Sequence, residues 1–513
     1  MIRVSGPSLS KVDRSSLLYK LLERTHKRIE EMDPTTWGKD AEAEASIRLN
    51  WVNLPATSKS LLPEITTIVE RFKGFSHLVL CGMGGSSLAP EVIARTFAKN
   101  IFVLDSTDPN YIAHAEALNL EKTLVLVSSK SGSTIEVACQ RAFFENKFKK
   151  AGIDPVNHML FITDPESPLD KETRNSGFTV INADPKVGGR FSALTAFGLI
   201  PASLLGISPA LLLEQAASAK SQFIVDNSAI LDVAYVLTKL AGQFVGFTDD
   251  GSKVPGLSDW IEQLIAESTG KNEKGLLPIA TENVFNAGMG GALSVAFAPN
   301  AQAELVVEAE LGEHFIFWEW VTALVGAAIE VDPFNQPNVT EAKEATAQLL
   351  VEWNSKLPQI NGDSEEGDVE IFGHGVTLTS ALKNLIANTD SEGYIAIMAY
   401  LDRIDDVKIA ELRSIISEKS ERPVSFGWGP RFLHSTGQFH KGGQQNGSFL
   451  QITGETTSNF DIPGREFNFG TLLMAQALGD AKALEKRKYP LLRFHLRDRS
   501  VGIDQILKAA RSL

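Results

Sequence analysis

The stretch SSKSGST, residues 128–134, follows the apolar run TLVLV at 123–127 and precedes a segment with helical spacing of apolar residues, 135–150. The run predicts a buried strand and the spacing predicts a helix. A hydroxyl-rich turn at the start of a helix offers an anion free backbone N–H groups, the helix dipole and side-chain hydroxyls. Because the nucleotide-binding pattern G-x-x-x-x-G-K-[ST] is absent here, we predict a site for one phosphate on a small molecule. The alternative is an ordinary polar turn with a helix cap.

Strand-like and helix-like segments alternate around this stretch. Strands are predicted at 77–81, 101–104, 158–163 and 178–182, and helices at 16–32, 41–50, 60–73, 88–99 and 109–118. Short apolar strands separated by helices indicate a parallel sheet with helices on both faces. Ligands bind such sheets at the carboxyl ends of the strands, where 128–134 and the glycine loop 82–87 both lie.

A second α/β unit is predicted after a helical stretch at 190–243. Further helices are predicted at 258–268, 312–331 and 337–353, and further strands at 394–401, 423–428, 448–453 and 491–496. The segment 361–368, rich in glycine and acidic residues, is typical of a surface linker. The sequence leaves open whether the last part forms a third domain or completes the second sheet.

Length, charge and cysteine content limit the class of protein. The chain has 513 residues, a formal net charge of −14 and two cysteines, Cys81 and Cys139. The length predicts two or three domains, and the acidic charge disfavours nucleic acid and anionic membrane as partners. The scarcity of cysteine argues against a disulfide framework and for a reducing compartment. Residues 1–11 lack the apolar segment of a signal peptide, so we expect a cytoplasmic protein.

The glycine loop CGMGGSS at 81–87 has two interpretations. It follows a strand and opens a helix, and Asp105 ends the next strand, as in a dinucleotide-binding fingerprint. A dinucleotide-dependent dehydrogenase is therefore one alternative. However, Ser87 occupies the third glycine position, and a dinucleotide site does not need the second loop at 128–134. Two hydroxyl-bearing loops at one sheet edge favour a sugar phosphate.

Several blocks of sequence together resemble a known family. GMGGS at 82–86 with SKSGST at 129–134 resembles the sugar isomerase (SIS) domain. The blocks GGRFS (188–192), QLIAESTGK (263–271) and DPFNQP (332–337) followed by Lys343 are similar to the arginine, glutamate and lysine blocks of glucose-6-phosphate isomerases. The block HSTGQ at 434–438 is the best match to the family's histidine block, which usually precedes the lysine block. Residues 37–55 and the C-terminal third are similar to the isomerase half of transaldolase–isomerase fusions, and before Trp37 we expect only a short helical arm and no transaldolase barrel.

The resemblance implies a fold of class α/β. We expect two SIS-type three-layer α-β-α domains with parallel sheets, plus a helical N-terminal arm. The arm is expected at 1–55 and the first SIS domain, with the phosphate loops, at 56–215. The second, discontinuous or extended SIS-like domain is expected at 216–360 and 369–513, with the linker at 361–368.

The resemblance also implies an aldose–ketose isomerase that interconverts glucose 6-phosphate and fructose 6-phosphate through a cis-enediolate, with no cofactor and no metal. The expected catalytic residues are Glu267, His434, Lys343 and Arg190. The expected contacts with phosphate and substrate are Gly85, Ser86, Ser129, Lys130, Ser131, Thr134 and Gln263. The expected partner is a small sugar phosphate, with no nucleic acid and no membrane, and a homodimer is the candidate assembly.

Chemistry explains these residue types. One base must take and return the proton, and a partly buried carboxylate near a helix end, Glu267, suits that task. Gln263 lies four residues earlier, on the same helix face. Arg190 supplies a cation that stays protonated beside the enediolate oxygens. Ring opening needs an acid/base pair, for which His434 and Lys343 are the candidates.

Other residues and functions remain as alternatives. His374 and His440 rank below His434, and His314 is interpreted as a core histidine on an apolar helix. Lys271 and Lys441 are credited only with adding positive field. One alternative is a non-catalytic SIS-type regulator, which would keep the loop at 129–134 without needing the catalytic residues. Another is an isomerase of a different hexose phosphate, such as mannose 6-phosphate, which would keep the loop and the catalytic residues.

Overall fold

The computed structural model describes residues 1–353, 356–358 and 361–513. They form two compact units: the first comprises residues 1–105, 118–288 and 292–336, and the second comprises 106–117, 289–291 and 337–513. Mainly parallel sheets alternate with helices in both, which confirms the predicted α/β class. The predicted domain boundary at residue 360 lies outside the described residues, and the other predicted boundaries stay predictions.

The strands of the described chain are β1 Arg3–Ser5, β2 His77–Gly82, β3 Phe102–Leu104, β4 Thr123–Ser128, β5 Met159–Thr163, β6 Thr179–Asn182, β7 Phe244–Thr248, β8 Leu277–Thr281, β9 Leu293–Ala296, β10 Leu305–Glu308, β11 Ser364–Glu366, β12 Val369–Phe372, β13 Tyr394–Ala399, β14 Val424–Trp428, β15 Gly447–Gly454 and β16 Leu491–Leu496. The α-helices are α1 Leu17–Glu30, α2 Glu42–Arg48, α3 Leu54–Thr57, α4 Leu62–Arg71, α5 Leu88–Thr96, α6 Pro109–Glu116, α7 Ile135–Lys150, α8 Pro168–Asn175, α9 Ala196–Leu204, α10 Pro209–Val225, α11 Ser228–Lys239, α12 Leu257–Thr269, α13 Val284–Ala287, α14 Leu311–Ala328, α15 Thr340–Glu352, α16 Leu378–Ala387, α17 Glu411–Ser420, α18 Gly437–Gly442, α19 Phe469–Lys486 and α20 Arg499–Arg511. No helix among them has the length and apolar character needed to cross a membrane.

The first sheet lies in the first unit and has the order β3-β2-β4-β5-β6, with every pair parallel. All six residues of β4 are buried, because both faces of the sheet are covered. Gly82 at the end of β2 lies opposite Ser128 at the end of β4. The two loops identified in the sequence therefore leave the sheet side by side at its carboxyl edge.

The second sheet, also in the first unit, has the order β1-β10-β9-β7-β8. Its strands β7 to β10 are parallel neighbours, and β1 adds antiparallel to β10, with Arg3 opposite Glu308. The N-terminal arm is thus helical as expected but begins with an edge strand. Further along the arm, Trp37 donates its indole N–H to the carbonyl of Ala323 on α14 at 2.9 Å.

The third sheet belongs to the second unit. The strands of the last part form their own sheet, in the order β11-β12-β16-β15-β13-β14, and do not extend the second. The segment 361–368 contains β11, which pairs antiparallel with β12. Its acidic side chains suit an edge strand, where Glu365 forms an ion pair with Arg497.

Helix α6 packs with the second unit although its neighbours in sequence, β3 and β4, lie in the first sheet. Nη2 of Arg499 lies 2.9 Å from Oδ2 of Asp108, the N-cap residue of α6. Nε of Arg403 donates to the hydroxyl of Tyr111 at 2.8 Å. These charged and polar contacts hold α6 against distant parts of the chain within its own unit.

Candidate active site

Helix α12 carries the proposed base and is almost wholly buried. It begins after Gly256, whose φ of 87° favours glycine, and Asp249 accepts hydrogen bonds from the backbone N–H groups of Gly256 and Ser258 at 2.7 and 2.9 Å. Near its other end, Gln263 donates its side-chain N–H to a carboxylate oxygen of Glu267 at 3.1 Å. The i, i+4 spacing therefore places these two side chains in contact, as the sequence predicted.

Arg190 lies buried beside Glu267 and is held by four hydrogen bonds. Its Nε donates to Ser268 Oγ at 2.8 Å and its Nη1 to Gln336 Oε1 at 2.9 Å. Its Nη2 donates to the carbonyls of Pro333 and Asn335 at 2.6 and 2.9 Å. Desolvation lowers the pKa of Arg190, and the carboxylates of Glu267 and Asp332 oppose that shift.

The fixed guanidinium has two consequences for the site. Nη1 lies 3.7 Å from the nearer carboxylate oxygen of Glu267, so a positive charge is held beside the proposed base. The same side chain ties the loop 332–336 to the end of α12, since two of its nitrogens donate to that loop. The arginine and glutamate blocks, together with the loop that begins the lysine block, thus meet within the first unit.

Lys271 joins this cluster, although sequence reasoning assigned it no defined role. Its buried ammonium donates to the carbonyl of Ser268 at 3.1 Å and to the carbonyl of Asp332. Burial, and then the positive charge of Arg190, lower the pKa of Lys271 well below its usual range. The signal in the sequence was its place four residues after Glu267 in ESTGK, but only the fold shows that the side chain turns inward.

The loop at 128–134 is organised by its own hydroxyls. Ser129 Oγ accepts a hydrogen bond from the N–H of Gly132 at 3.2 Å, and the hydroxyls of Ser131 and Ser133 lie 2.8 Å apart. Gly132 has φ of 71°, a left-handed conformation that favours glycine. Thr134 is the N-cap residue of α7, and its side chain makes no cap hydrogen bond within the described chain. Its hydroxyl is therefore not committed to the helix end.

The first glycine loop contributes Gly85 and Ser86, both buried. A Cβ atom at Gly85 would lie 2.0 Å from the carbonyl oxygen of Gly189, so only glycine allows this close approach. The contact seats the first loop against the segment that carries Arg190. Gly85 therefore has a packing role in addition to any contact with phosphate.

Lys130 differs from the other loop residues because its ammonium already has a partner. Both carboxylate oxygens of Asp164 accept from it, at 2.9 and 2.7 Å. Burial lowers the pKa of Lys130, while the bond to Asp164 opposes that shift. The side chain of Lys130 therefore ties this loop to Asp164, which directly follows β5.

The remaining predicted catalytic residues lie in the second unit. Lys343 is exposed on α15, and His434 is half-buried at the end of a short 3-10 turn. Gln438, in the same block as His434, accepts from the backbone N–H of Asn338 at 2.9 Å and donates to its side-chain oxygen at 2.8 Å. The histidine block therefore contacts the end of the lysine block despite their separation in sequence.

The three histidines considered as alternatives to His434 differ in burial and in their contacts. His314 is fully buried in α14, and burial lowers its pKa to about 3, which suits a core residue. His440 is buried with its Nδ1 2.9 Å from the hydroxyl of Tyr394, and burial, then Lys441, lowers its pKa to about 3. His374 is exposed.

A group of side chains suited to a divalent cation also lies in the second unit. His114 Nε2 is 2.9 Å from an oxygen of Asp402 and 3.4 Å from one of Asp405. Imidazole and carboxylate are ordinary ligands of such ions. None of the three is among the residues expected for the site, and Asp405 is exposed.

A parallel sheet carries two hydroxyl-bearing loops side by side at its carboxyl edge. In fold, the chain is similar to the crystal structure of a glucose-6-phosphate isomerase from Chlamydia trachomatis, with a TM-score of 0.56 and 19% sequence identity, covering 70% of this chain and 89% of that one. This similarity supports the fold class.

Sequence comparison shows similarity to one family over part of the chain. Residues 64–292 match the family model described as phosphoglucose isomerase. Glucose-6-phosphate isomerase from Campylobacter jejuni is 33% identical over 247 residues, which are 45% of this chain and 60% of that protein. The enzyme of that name from a Synechococcus species is 34% identical over 217 residues, 39% of this chain and 40% of that protein. These matches confirm the resemblance indicated by the sequence blocks.

The extent of the matches is limited. The chain spans about half the length of these curated relatives. The range 64–292 includes both phosphate loops, Arg190, Gln263 and Glu267, but ends before Lys343 and His434. The residues of the second unit therefore rest on the sequence blocks and on the contact between Asn338 and Gln438.

Proposed function

We propose that the protein interconverts glucose 6-phosphate and fructose 6-phosphate, as the names of its relatives suggest. The observation that carries the proposal is the buried cluster in which Glu267 accepts from Gln263 and lies 3.7 Å from Arg190. A sugar-phosphate regulator would need the phosphate loops but not a carboxylate held beside a fixed cation. The test is a coupled assay with fructose 6-phosphate, run without nucleotide or added metal, with mannose 6-phosphate as the competing substrate.

In the proposed reaction, Glu267 moves the proton. Its carboxylate takes the proton from C2 of the open-chain aldose, and the electron pair left at carbon forms the cis-enediolate. The same carboxyl group returns the proton to C1, and the hydroxyl proton of O2 passes to O1, so that a carbonyl forms at C2 and the product is the ketose. Gln263 orients the carboxylate through its hydrogen bond, so one oxygen is held while the other can face the substrate.

Arg190 stabilises the negative charge that develops on the enediolate oxygens. A guanidinium has five N–H donors, and four hydrogen bonds to protein already fix its plane. One N–H remains on Nη1, the nitrogen nearest Glu267. A prearranged cation of this kind needs no reorganisation as the charge forms. Lys271 adds to the positive field from its buried position.

The loop at 129–134 binds the phosphate of the substrate in this proposal. Replacing Ser129 and Thr134 together by alanine is expected to raise KM and the inhibition constant of inorganic phosphate by a similar factor, about tenfold or more, because two hydroxyl donors to a dianion are lost. Steady-state kinetics with phosphate as inhibitor measures both constants. Ser176→Ala, which removes an exposed hydroxyl bonded to the carbonyl of Glu172, is the matched control. An unchanged KM in the double variant would place the phosphate elsewhere.

His434 opens the sugar ring in this proposal. The variant His434→Ala is expected to slow turnover of the cyclic substrate by about a hundredfold, the scale of a lost general acid–base group. Exchange of the C2 proton of an open-chain substrate should change far less, since Glu267 and Arg190 remain. The comparison variants are His314→Ala, His374→Ala and His440→Ala. If one of these shows the ring-opening defect while His434→Ala behaves as wild type, the match at 434–438 is accidental.

Two further expectations accompany this function. Cys81 and Cys139 are buried free cysteines, which supports a reducing compartment and hence the cytoplasm as the proposed location. A homodimer is the proposed assembly, and sedimentation velocity of the purified chain tests it.

A further inference from the structure

A cavity of about 560 Å³ lies in the second unit, between the third sheet and the beginning of α19. Strand register places its sheet side: Phe372 on β12 lies opposite Arg493 on β16, and Thr453 on β15 lies opposite His495. Alternate residues of a strand share a face, so Arg493 and His495 point to the same side. The volume is that of a site for a small organic molecule.

Arg493 is the distinctive side chain of this cavity. It is half-buried, and within the described ranges it has no hydrogen bond and no ion pair. Its guanidinium carbon lies 4.4 Å from the ring centroid of Phe372, so the two groups form a cation–π contact. Burial lowers the pKa of Arg493, and the negative charges of Glu485 and Asp363 oppose that shift without forming an ion pair with it in the described chain. Burying a cation that has no counter-ion raises the free energy of the folded protein, and a bound anion would offset that penalty.

Within the described chain, two neighbouring arginines, unlike Arg493, form ion pairs. Arg497 holds two carboxylates, Glu365 and Glu370, and Arg499 holds Asp108 and Asp406. Only a few residues away, Arg493 has no such partner in the described structure. The difference is not explained by a local shortage of acids, because acidic residues also line the cavity.

The other charged or titratable groups that line the cavity either have a polar partner or are exposed. Glu370 is paired with Arg497, and a carboxylate oxygen of Glu455 lies 3.3 Å from His495 Nε2. The imidazole is held on its other side by the hydroxyl of Thr453, 2.9 Å from Nδ1. Lys356 and Glu466 are exposed and of opposite sign. Among the described lining residues, Arg493 is therefore the half-buried charged side chain without a hydrogen bond or an ion pair.

We propose that this cavity binds a small organic oxyanion, a phosphate ester or a carboxylate, with Arg493 as its counter-ion. The planar guanidinium can donate two parallel hydrogen bonds to either group. The polar wall formed by Thr453, Asn468 and Thr471 suits a ligand with hydroxyl groups next to the anion. The described residues that line this cavity include none of those assigned to the proposed isomerase reaction.

The test is isothermal titration calorimetry of the full chain with three probes: glycerol 3-phosphate, inorganic phosphate and succinate. We expect at least one probe to bind wild type and to bind Arg493→Gln about tenfold or more weakly, the scale of a lost charged hydrogen bond. Arg511→Gln, which removes a surface arginine paired with Glu411, is the matched control and should bind as wild type. Phosphate probes that bind while succinate does not would identify a phosphate site, and the reverse would identify a carboxylate site.

The double variant Ser129→Ala, Thr134→Ala separates this site from the proposed phosphate loop. Binding that depends on Arg493 should persist in that variant, whatever happens to turnover. Binding that Arg493→Gln leaves unchanged, or no binding of any probe up to millimolar concentrations, would overturn the proposal.

Thermal unfolding adds a readout that distinguishes a ligand-binding role from a structural one. Without a probe, Arg493→Gln should unfold at the same temperature as wild type or higher, because an unpaired desolvated charge is removed. With a saturating probe, wild type should become the more stable of the two, since a ligand stabilises only the state that binds it. A lower midpoint for Arg493→Gln under both conditions would show that Arg493 is structural.

Discussion

Glu267→Gln is expected to lower turnover by at least about a hundredfold while KM stays near the wild-type value. Glutamine keeps the shape of the side chain. Its amide oxygen can still accept the hydrogen bond from Gln263, which is 3.1 Å long in the wild-type protein. It cannot take a proton from carbon, so only the chemical step is removed. Rates from the coupled assay, with KM from the same progress curves, measure the effect.

A matched control lies on the same helix. Glu262→Gln makes the same change of charge, and the amide oxygen can still accept from the backbone N–H of Ala280, as the carboxylate does at 3.3 Å. This variant should retain turnover within a small factor. Wild-type turnover in Glu267→Gln would remove Glu267 from the reaction, and equal losses in both variants would indicate damage to α12.

Local pattern was sufficient to predict individual elements in both units. The predicted helix at 135–150 has the bounds of α7, and the strand predicted at 491–496 has those of β16. In these segments the apolar periodicity is strong and the flanking turns are clear. Strands β9 and β10 were not predicted, because each has only four residues and is flanked by glycine, alanine and polar residues. Short strands of this kind are defined by their neighbours in the sheet more than by their own sequence.

In the candidate site, too, contacts between residues close in sequence could be predicted, whereas contacts between residues far apart in sequence could not. The contact between Gln263 and Glu267 follows from helical spacing, and it was predictable from the sequence. The partners of Arg190 were not, since Pro333 and Gln336 are more than 140 residues away along the chain. The pairing of Lys130 with Asp164 likewise depends on adjacent strands, β4 and β5, carrying their loops to one edge.

Glu319 is an unusual feature of the core that the sequence analysis did not single out. It lies near the middle of α14, fully buried, and neither carboxylate oxygen has a hydrogen-bond partner among the described residues. Burial raises the pKa of Glu319 well above its ordinary value of 4.5. The folded protein therefore keeps this carboxyl group protonated at pH values where the unfolded chain releases the proton.

Glu319→Gln is expected to abolish a pH dependence of stability. With the proton bound only in the folded state, the free energy of unfolding contributed by this group falls by about 1.4 kcal/mol per pH unit as the pH rises above about 4.5, until the raised folded-state pKa is passed. Glutamine has no such proton, so the variant should gain stability relative to wild type as the pH rises above about 4.5, and the gain should stop growing once the raised folded-state pKa is passed. Urea unfolding followed by tryptophan fluorescence at a series of pH values measures the difference. Glu330→Gln, which removes an exposed carboxylate that is paired with Lys274, is the comparison variant. Parallel curves for Glu319→Gln and wild type would mean that the carboxyl group is ionised or solvated in the folded protein.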